Sequence, residues 1–187
     1  HFPVACAFIE AGIHVVCDKP LTTSLADAQH LQALVRQHGV RLCLTHNYTG
    51  YPLIRAARAL VEAGELGDVR IVQVEYAQDW LAQPLEASGQ KQAAWRTDPA
   101  LAGPAGCLGD IGTHAAQLAE FVTGLVPQQL SAELTTFVPG RRVDDHVQVQ
   151  LRYANGARGL LWASQVATGE ENHLRLRVYG TKAALHW

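Results

Sequence analysis

Apolar and polar positions follow two different rhythms along this chain, and the change from one to the other falls near residue 47. Residues 3–12 (PVACAFIEAG) carry apolar side chains at helical spacing and stop on Gly12, which predicts a helix. HVVC (14–17) is short and apolar, and predicts a buried strand. From Ser24 the spacing is helical again. Leu25, Ala28, Leu31, Leu34 and Val35 form one stripe, with Ser24 as N-cap and Gly39 as the stop. VRLCLTH (40–46) reads as the next strand, and strand–helix–strand is the order of a parallel βαβ unit.

Beyond residue 47 a helix is predicted through YPLIRAARALVEAG to Gly64, followed by long alternating segments. These are 69–80, 128–138, 143–154, 156–167 and 172–180, interrupted by one helix over 111–123. In NHLRLRVYG, Leu174, Leu176 and Val178 face one way while Arg175, Arg177 and Tyr179 face the other. Asn155-Gly156 between two such segments is a hairpin signal. The fold class expected is therefore the C-terminal part of a Rossmann-type parallel sheet over residues 1–46. It is followed, over 47–187, by a largely antiparallel open β-sheet domain with helices on one face and the other face wet. A face of that kind needs covering, so a homo-oligomer formed through the antiparallel sheet is expected.

Composition narrows the partners. The 187 residues are 48% hydrophobic and 17% charged, with a formal net charge of −2. That balance gives no electrostatic reason to expect nucleic acid or an anionic membrane. No apolar run reaches the length of a membrane span, and no basic-then-apolar leader opens the chain, so a cytoplasmic location is expected. Cys6, Cys17, Cys43 and Cys107 form no CxxC pair. Cys17 and Cys43 lie in apolar runs and are read as small buried hydrophobes, not as disulfide or zinc ligands.

Two stretches carry candidate chemistry. Asp18-Lys19-Pro20 ends the first strand, and ligands of open parallel sheets bind beyond the carboxyl ends of the strands. Pro20 cannot pair in the ladder and biases the backbone of Lys19, so it fixes the direction of the lysine; a charged turn closing a strand is the plainer alternative. The second stretch is GCLGDIGTHAAQLAEFVTG (106–124), where Gly106, Gly109 and Gly112 allow close backbone approach. Asp110 and His114, four apart, would share one helix face and suit proton transfer. Against this, Asp110 reads equally as a helix N-cap and His114 as a structural histidine. Asp144-Asp145-His146 looks like a ligand cluster but opens a strand, and is read as an exposed end.

DKPL after an apolar strand, YPLIRAARALVEAGELGDVRIVQVEY, and the later GDIGTHAAQL together resemble the Gfo/Idh/MocA oxidoreductases over essentially the whole chain. The resemblance departs at Asp18, where that family usually carries glutamate. It implies a dinucleotide cofactor, NAD or NADP, and catalytic roles for Lys19, Asp110 and His114. Asp18, Lys19 and Pro20 are implied near the nicotinamide ribose, with His46 and Asn47 towards its carboxamide. Trp80 in AQDWL, and Trp95 with Arg96 in AAWRTDP, read equally as residues reaching cofactor or substrate and as ordinary packing. Arg96, before Asp98-Pro99, is expected in a loop, bound to a polar ligand or solvated.

The implied reaction moves hydride between the nicotinamide and a secondary alcohol of a sugar, inositol or related polyol. Two alternatives stay open: an NAD-dependent glycosidase of the same fold, and a non-catalytic sugar-sensing homologue. The family's Gly-x-Gly-x-x-Gly turn does not occur here. The chain is therefore expected to be a piece lacking the first half of the nucleotide domain and the last strands, inactive alone and weak in NAD(H) binding. No metal is expected.

Overall fold

The computed structural model describes residues 1–187, which group into two units, 1–47 and 48–187. In the first unit, α1 (Phe2–Glu10) leads into β1 (Val15–Asp18), α2 (Leu25–His38) and β2 (Leu42–Thr45). β1 and β2 pair in parallel, Val15 opposite Leu42 and Asp18 opposite Thr45. Ser24 caps α2 as its spacing predicts, its Oγ accepting from Asp27 N at 3.1 Å, and Gly39 ends it at φ +64°.

Two expectations for this unit are corrected. The first strand is not buried throughout: Val16 is 74% exposed, and Cys43, opposite it, is exposed rather than buried. The cause is the pleat. Ala5, Ile9, Leu31, Leu34 and Val40 form a core that takes Val15 and Leu42 from one face of the strand pair, and Val16 and Cys43 point to the other. The apolar stripe of α2 is also shorter than its pattern suggests. Leu31 and Leu34 are buried, but Leu25 in the first turn lies outside the cluster and is 74% exposed.

The second unit is a six-stranded sheet in the order β4-β5-β6-β3-β7-β8. Its strands are β3 (Ile71–Ala77), β4 (Pro127–Thr135), β5 (His146–Tyr153), β6 (Arg158–Ser164), β7 (His173–Tyr179) and β8 (Ala184–His186). All neighbours are antiparallel except β3 and β6, so the sheet is mixed and mostly antiparallel. The β5–β6 hairpin turns at Asn155-Gly156, with Gly156 at φ +87° and Asn155 Oδ1 accepting from Ala157 N. Helices α3 (Pro52–Glu62) and α6 (Thr113–Thr123) cover one face. Ile54, Ala57, Leu118 and Val122 pack there on Val72, Val74, Val147 and, as the alternation predicts, on Leu176 and Val178. The opposite face carries Gln148, Gln150 and Arg152, all exposed.

Departures here concern how segments begin. The helix predicted through YPLIRAARALVEAG is α3, with Pro52 in its first turn, and an unpredicted 3₁₀ turn (Asn47–Gly50) precedes it. The helix expected over 111–123 opens with a π-helical turn, Leu108–Gly112, and only then becomes α6. Arg96 is not in a loop; it ends the short helix α4 (Lys91–Arg96), and Asp98 caps the next, α5 (Pro99–Ala102). Asp144 and Asp145 are not an exposed end. Both are buried, because backbone amides and an arginine satisfy their carboxylates.

Candidate active site

The first unit gathers its candidates where β1 and β2 end side by side. Asp18 Oδ1 accepts from Lys19 N at 2.8 Å and from Thr45 Oγ1 at 2.7 Å, so the acid ties the two strand ends together. The Lys19–Pro20 peptide is cis, and the Pro20 carbonyl is 2.7 Å from His1 Nδ1. His46 follows β2, with Asn47 next to it. Burial, and then the charge of Lys19, push the His46 imidazole below its ordinary pKa, which favours its neutral form.

In the second unit the π turn carries Asp110, and the first turn of α6 carries His114. His114 is only 7% exposed. Its ring stands edge-on to Tyr48 at 5.1 Å and to Tyr76 at 6.2 Å between centroids, so two phenol rings restrict its rotation. Asp110 does not cap the helix by its side chain. Its Oδ2 accepts from Arg96 Nε at 3.2 Å and from Gln165 Nε2 at 2.9 Å.

A chain of oriented hydrogen bonds runs on from there. Trp80 Nε1 is a donor only, so the Gln78 group facing it at 3.1 Å is the side-chain oxygen. Gln165 Nε2 donates to the same oxygen at 3.4 Å. Gln78 Nε2 therefore faces away and donates to Asn172 Oδ1 at 2.7 Å, which also accepts from the Tyr76 hydroxyl at 2.8 Å. With its proton committed to Asn172, Tyr76 accepts from Tyr48. Burial, the Tyr48 hydroxyl and the charge of Asp110 all push the Tyr76 phenol upwards, and it stays neutral.

Trp80 and Trp95 sit in this arrangement rather than in the apolar core. The Arg96 guanidinium carbon lies 4.2 Å from the Trp95 ring centroid and 5.9 Å from that of Trp80, and Gln92 accepts from the same guanidinium. Arg96 is thus held by Asp110, Gln92 and Trp95, although its side chain is still partly exposed. Asp110, His114, Trp80 and Arg96 come together in this unit, with Trp95 against Arg96 at their edge. Lys19, Pro20, Asp18, His46 and Asn47 belong to the first. The sequence reading passed over Tyr48, Tyr76, Gln78, Gln165 and Asn172. Gln78, Gln165 and Asn172 gave the one signal available, as polar residues where strand alternation starts or stops.

Comparison with known proteins agrees with both units. Residues 1–46 match a family model described as the oxidoreductase family, NAD-binding Rossmann fold, and residues 54–186 match the GFO/IDH/MocA C-terminal domain. The uncharacterized oxidoreductase YfiI of Bacillus subtilis is 33% identical over 100% of this chain and 48% of its own length. Levoglucosan dehydrogenase of Pseudarthrobacter phenanthrenivorans is 28% identical over 99% of this chain and 52% of its own. The chain thus spans about half the length of the curated relatives it matches. Among solved structures, an inositol dehydrogenase homolog from Azotobacter vinelandii complexed with NAD+ superposes with a TM-score of 0.95. It is 38% identical, covering 100% of this chain and 48% of that one. A levoglucosan dehydrogenase complex with NADH and levoglucosan gives 0.90 at 30% identity, covering 100% and 50%. With residues 1–46 and 54–186 both matched by models of that family, the chain belongs to the Gfo/Idh/MocA oxidoreductase family.

Proposed function

We propose that the protein carrying this chain is an NAD(P)-dependent dehydrogenase acting on a secondary alcohol of a sugar, inositol or related polyol. The observation that carries the reading is His114: a buried imidazole held between two tyrosine rings, one helical turn from a carboxylate that Arg96 and Gln165 hold in place. Relatives named for inositol and levoglucosan support the substrate class.

The donor set at the ends of β1 and β2 fits the nicotinamide end of such a cofactor. An ammonium (Lys19), an imidazole kept neutral (His46) and an amide (Asn47) match ribose hydroxyls and a carboxamide, and Asp18 holds the turn that presents them. When bound, the cofactor supplies the hydride acceptor. His114 Nε2 or Nδ1 takes the alcohol proton, a task suited to an imidazole, whose ring nitrogens can accept and return a proton. In the first unit, the Lys19 ammonium is a donor suited to stabilising the negative charge that develops on an alcohol oxygen. Asp110 orients the substrate hydroxyls, and Arg96 with Gln165 fixes its carboxylate. Trp80 and Trp95 hold Arg96 and border the substrate. Self-association through the open sheet face and a cytoplasmic location complete the proposal; no helix is long and apolar enough to cross a membrane.

The test is NAD(P)⁺ reduction by the full-length gene product across a panel of sugars and polyols. Net reduced nicotinamide is expected with at least one of them, and His114→Ala is expected to lower kcat at least ~100-fold with cofactor affinity unchanged. Turnover of a glycoside without net reduction, binding without turnover, or an unaltered kcat in the variant would each overturn the assignment.

A further inference from the structure

Three consecutive backbone amides at the entry to the π turn end on one residue. Gly106 N donates to Asp144 Oδ1 at 2.7 Å, Cys107 N to the Asp144 carbonyl at 2.8 Å, and Leu108 N to Asp144 Oδ2 at 2.8 Å. The first amides of a helix have no partner within it, and no side-chain cap serves this one. Asp144 takes that place from the opposite side of the sequence, immediately before β5. The Gly106 carbonyl in turn accepts from Asp110 N at 3.0 Å, so the backbone of Asp110 is one hydrogen bond removed from the clamp.

The neighbouring acid reaches Asp110 from the other side. The Asp145 carbonyl accepts from Gln165 N at 2.9 Å, and the Gln165 side chain donates to Asp110 Oδ2 at 2.9 Å. The Asp145 carboxylate is itself fixed by the amides of Phe137 and Val138 and by Arg141. One dipeptide therefore restrains Asp110 at its backbone and at its carboxylate. The fit is close: a Cβ on Gly106 would sit 2.1 Å from the Asp144 carbonyl oxygen, so only glycine lets the two backbones meet.

We propose that Asp144, with Asp145 beside it, is a positioning residue that fixes Asp110 and the first turn of α6 in their working geometry. The catalytic half of this statement rests on the dehydrogenase reading above; the clamp itself does not. Oriented groups lose large factors in rate when displaced by about 1 Å, so the clamp acts on kcat rather than on cofactor binding.

The test uses the full-length enzyme and Asp144→Asn, which keeps the shape but turns an amide group towards one of the two N–H donors. Hydrogen exchange over residues 106–112 is expected to rise at least tenfold. Per NADH-binding site, kcat is expected to fall roughly 10- to 100-fold, with the Kd for NADH within about twofold of wild type. Gly106→Ala should give the same pattern by pushing the clamp open from the other side. Val178→Ala, a cavity in the core far along the sequence, should lower Tm while leaving kcat per site unchanged. Unchanged exchange in Asp144→Asn overturns the clamp. Raised exchange with wild-type kcat overturns the positioning role. If the wild-type enzyme oxidised no polyol, the dehydrogenase reading would fail and the exchange measurement alone would decide the clamp.

Discussion

Arg96 Nε lies 3.2 Å from Asp110 Oδ2, and the same guanidinium rests on the ring of Trp95 with Trp80 beyond. The planar, weakly hydrated guanidinium suits both contacts at once, whereas an ammonium satisfies only the charge. Arg96→Lys is therefore expected to lower kcat/KM for the polyol about tenfold, and Arg96→Ala further, with KM for the cofactor unaltered. Steady-state kinetics of the full-length enzyme decide it. A lysine variant within twofold of wild type would show that charge alone holds Asp110.

Tyr76, which is buried, accepts from the half-buried Tyr48 and donates to the exposed Asn172. Tyr76→Phe leaves the half-buried Tyr48 hydroxyl without its acceptor, while Asn172 keeps its bond from Gln78 Nε2, and an unsatisfied buried polar group costs about 1–3 kcal/mol. Tyr48→Phe removes only the donor and should cost less. The double variant should fall short of the sum of the two, because the lost bond is shared. Urea midpoints of the three variants measure this; strict additivity would mean the hydroxyls do not interact in solution.

The parts of this chain that could be read in advance are those fixed by local rules. Ser24 and Gly39 bound α2 because capping needs only a few neighbouring atoms, and Leu176 with Val178 faces inward because a strand alternates. Asp110 and His114 stood out by spacing and by the family resemblance. The residues that were misjudged depend on partners distant in sequence. Val16 looks buried by composition, yet its exposure depends on which face of the strand pair the helices cover. Asp144-Asp145 reads as a solvated pair until Gly106, Leu108, Phe137 and Val138 are seen to donate to it. Gln165, Gln78 and Asn172 join Asp110 to Tyr76 only through tertiary folding, and no local pattern encodes that chain of bonds.

Arg141 extends this polar framework to the loop after Trp80. Its side chain is 1% exposed and donates to Asp145 and, by Nε and Nη2, to the two carboxylate oxygens of Glu86 at 2.9 and 3.0 Å. It also donates to the carbonyls of Leu81 and Gln83. Burial alone would raise the pKa of Glu86, but the Arg141 hydrogen bonds, a backbone amide and the Arg141 charge together hold it below its ordinary value of 4.5. A carboxylate with a lowered folded-state pKa binds its proton more readily in the unfolded chain. Its contribution is thus complete above pH 4.5 and is lost as the pH falls through the folded value. Glu86→Gln should therefore destabilise the protein by about 2 kcal/mol at pH 7, the scale of a hydrogen bond to a charged group. The gap to wild type should narrow as the pH is taken below 4.5. Urea unfolding at neutral and acidic pH reads out both, and a gap that stayed constant with pH would mean that Glu86 holds Arg141 by shape rather than by charge.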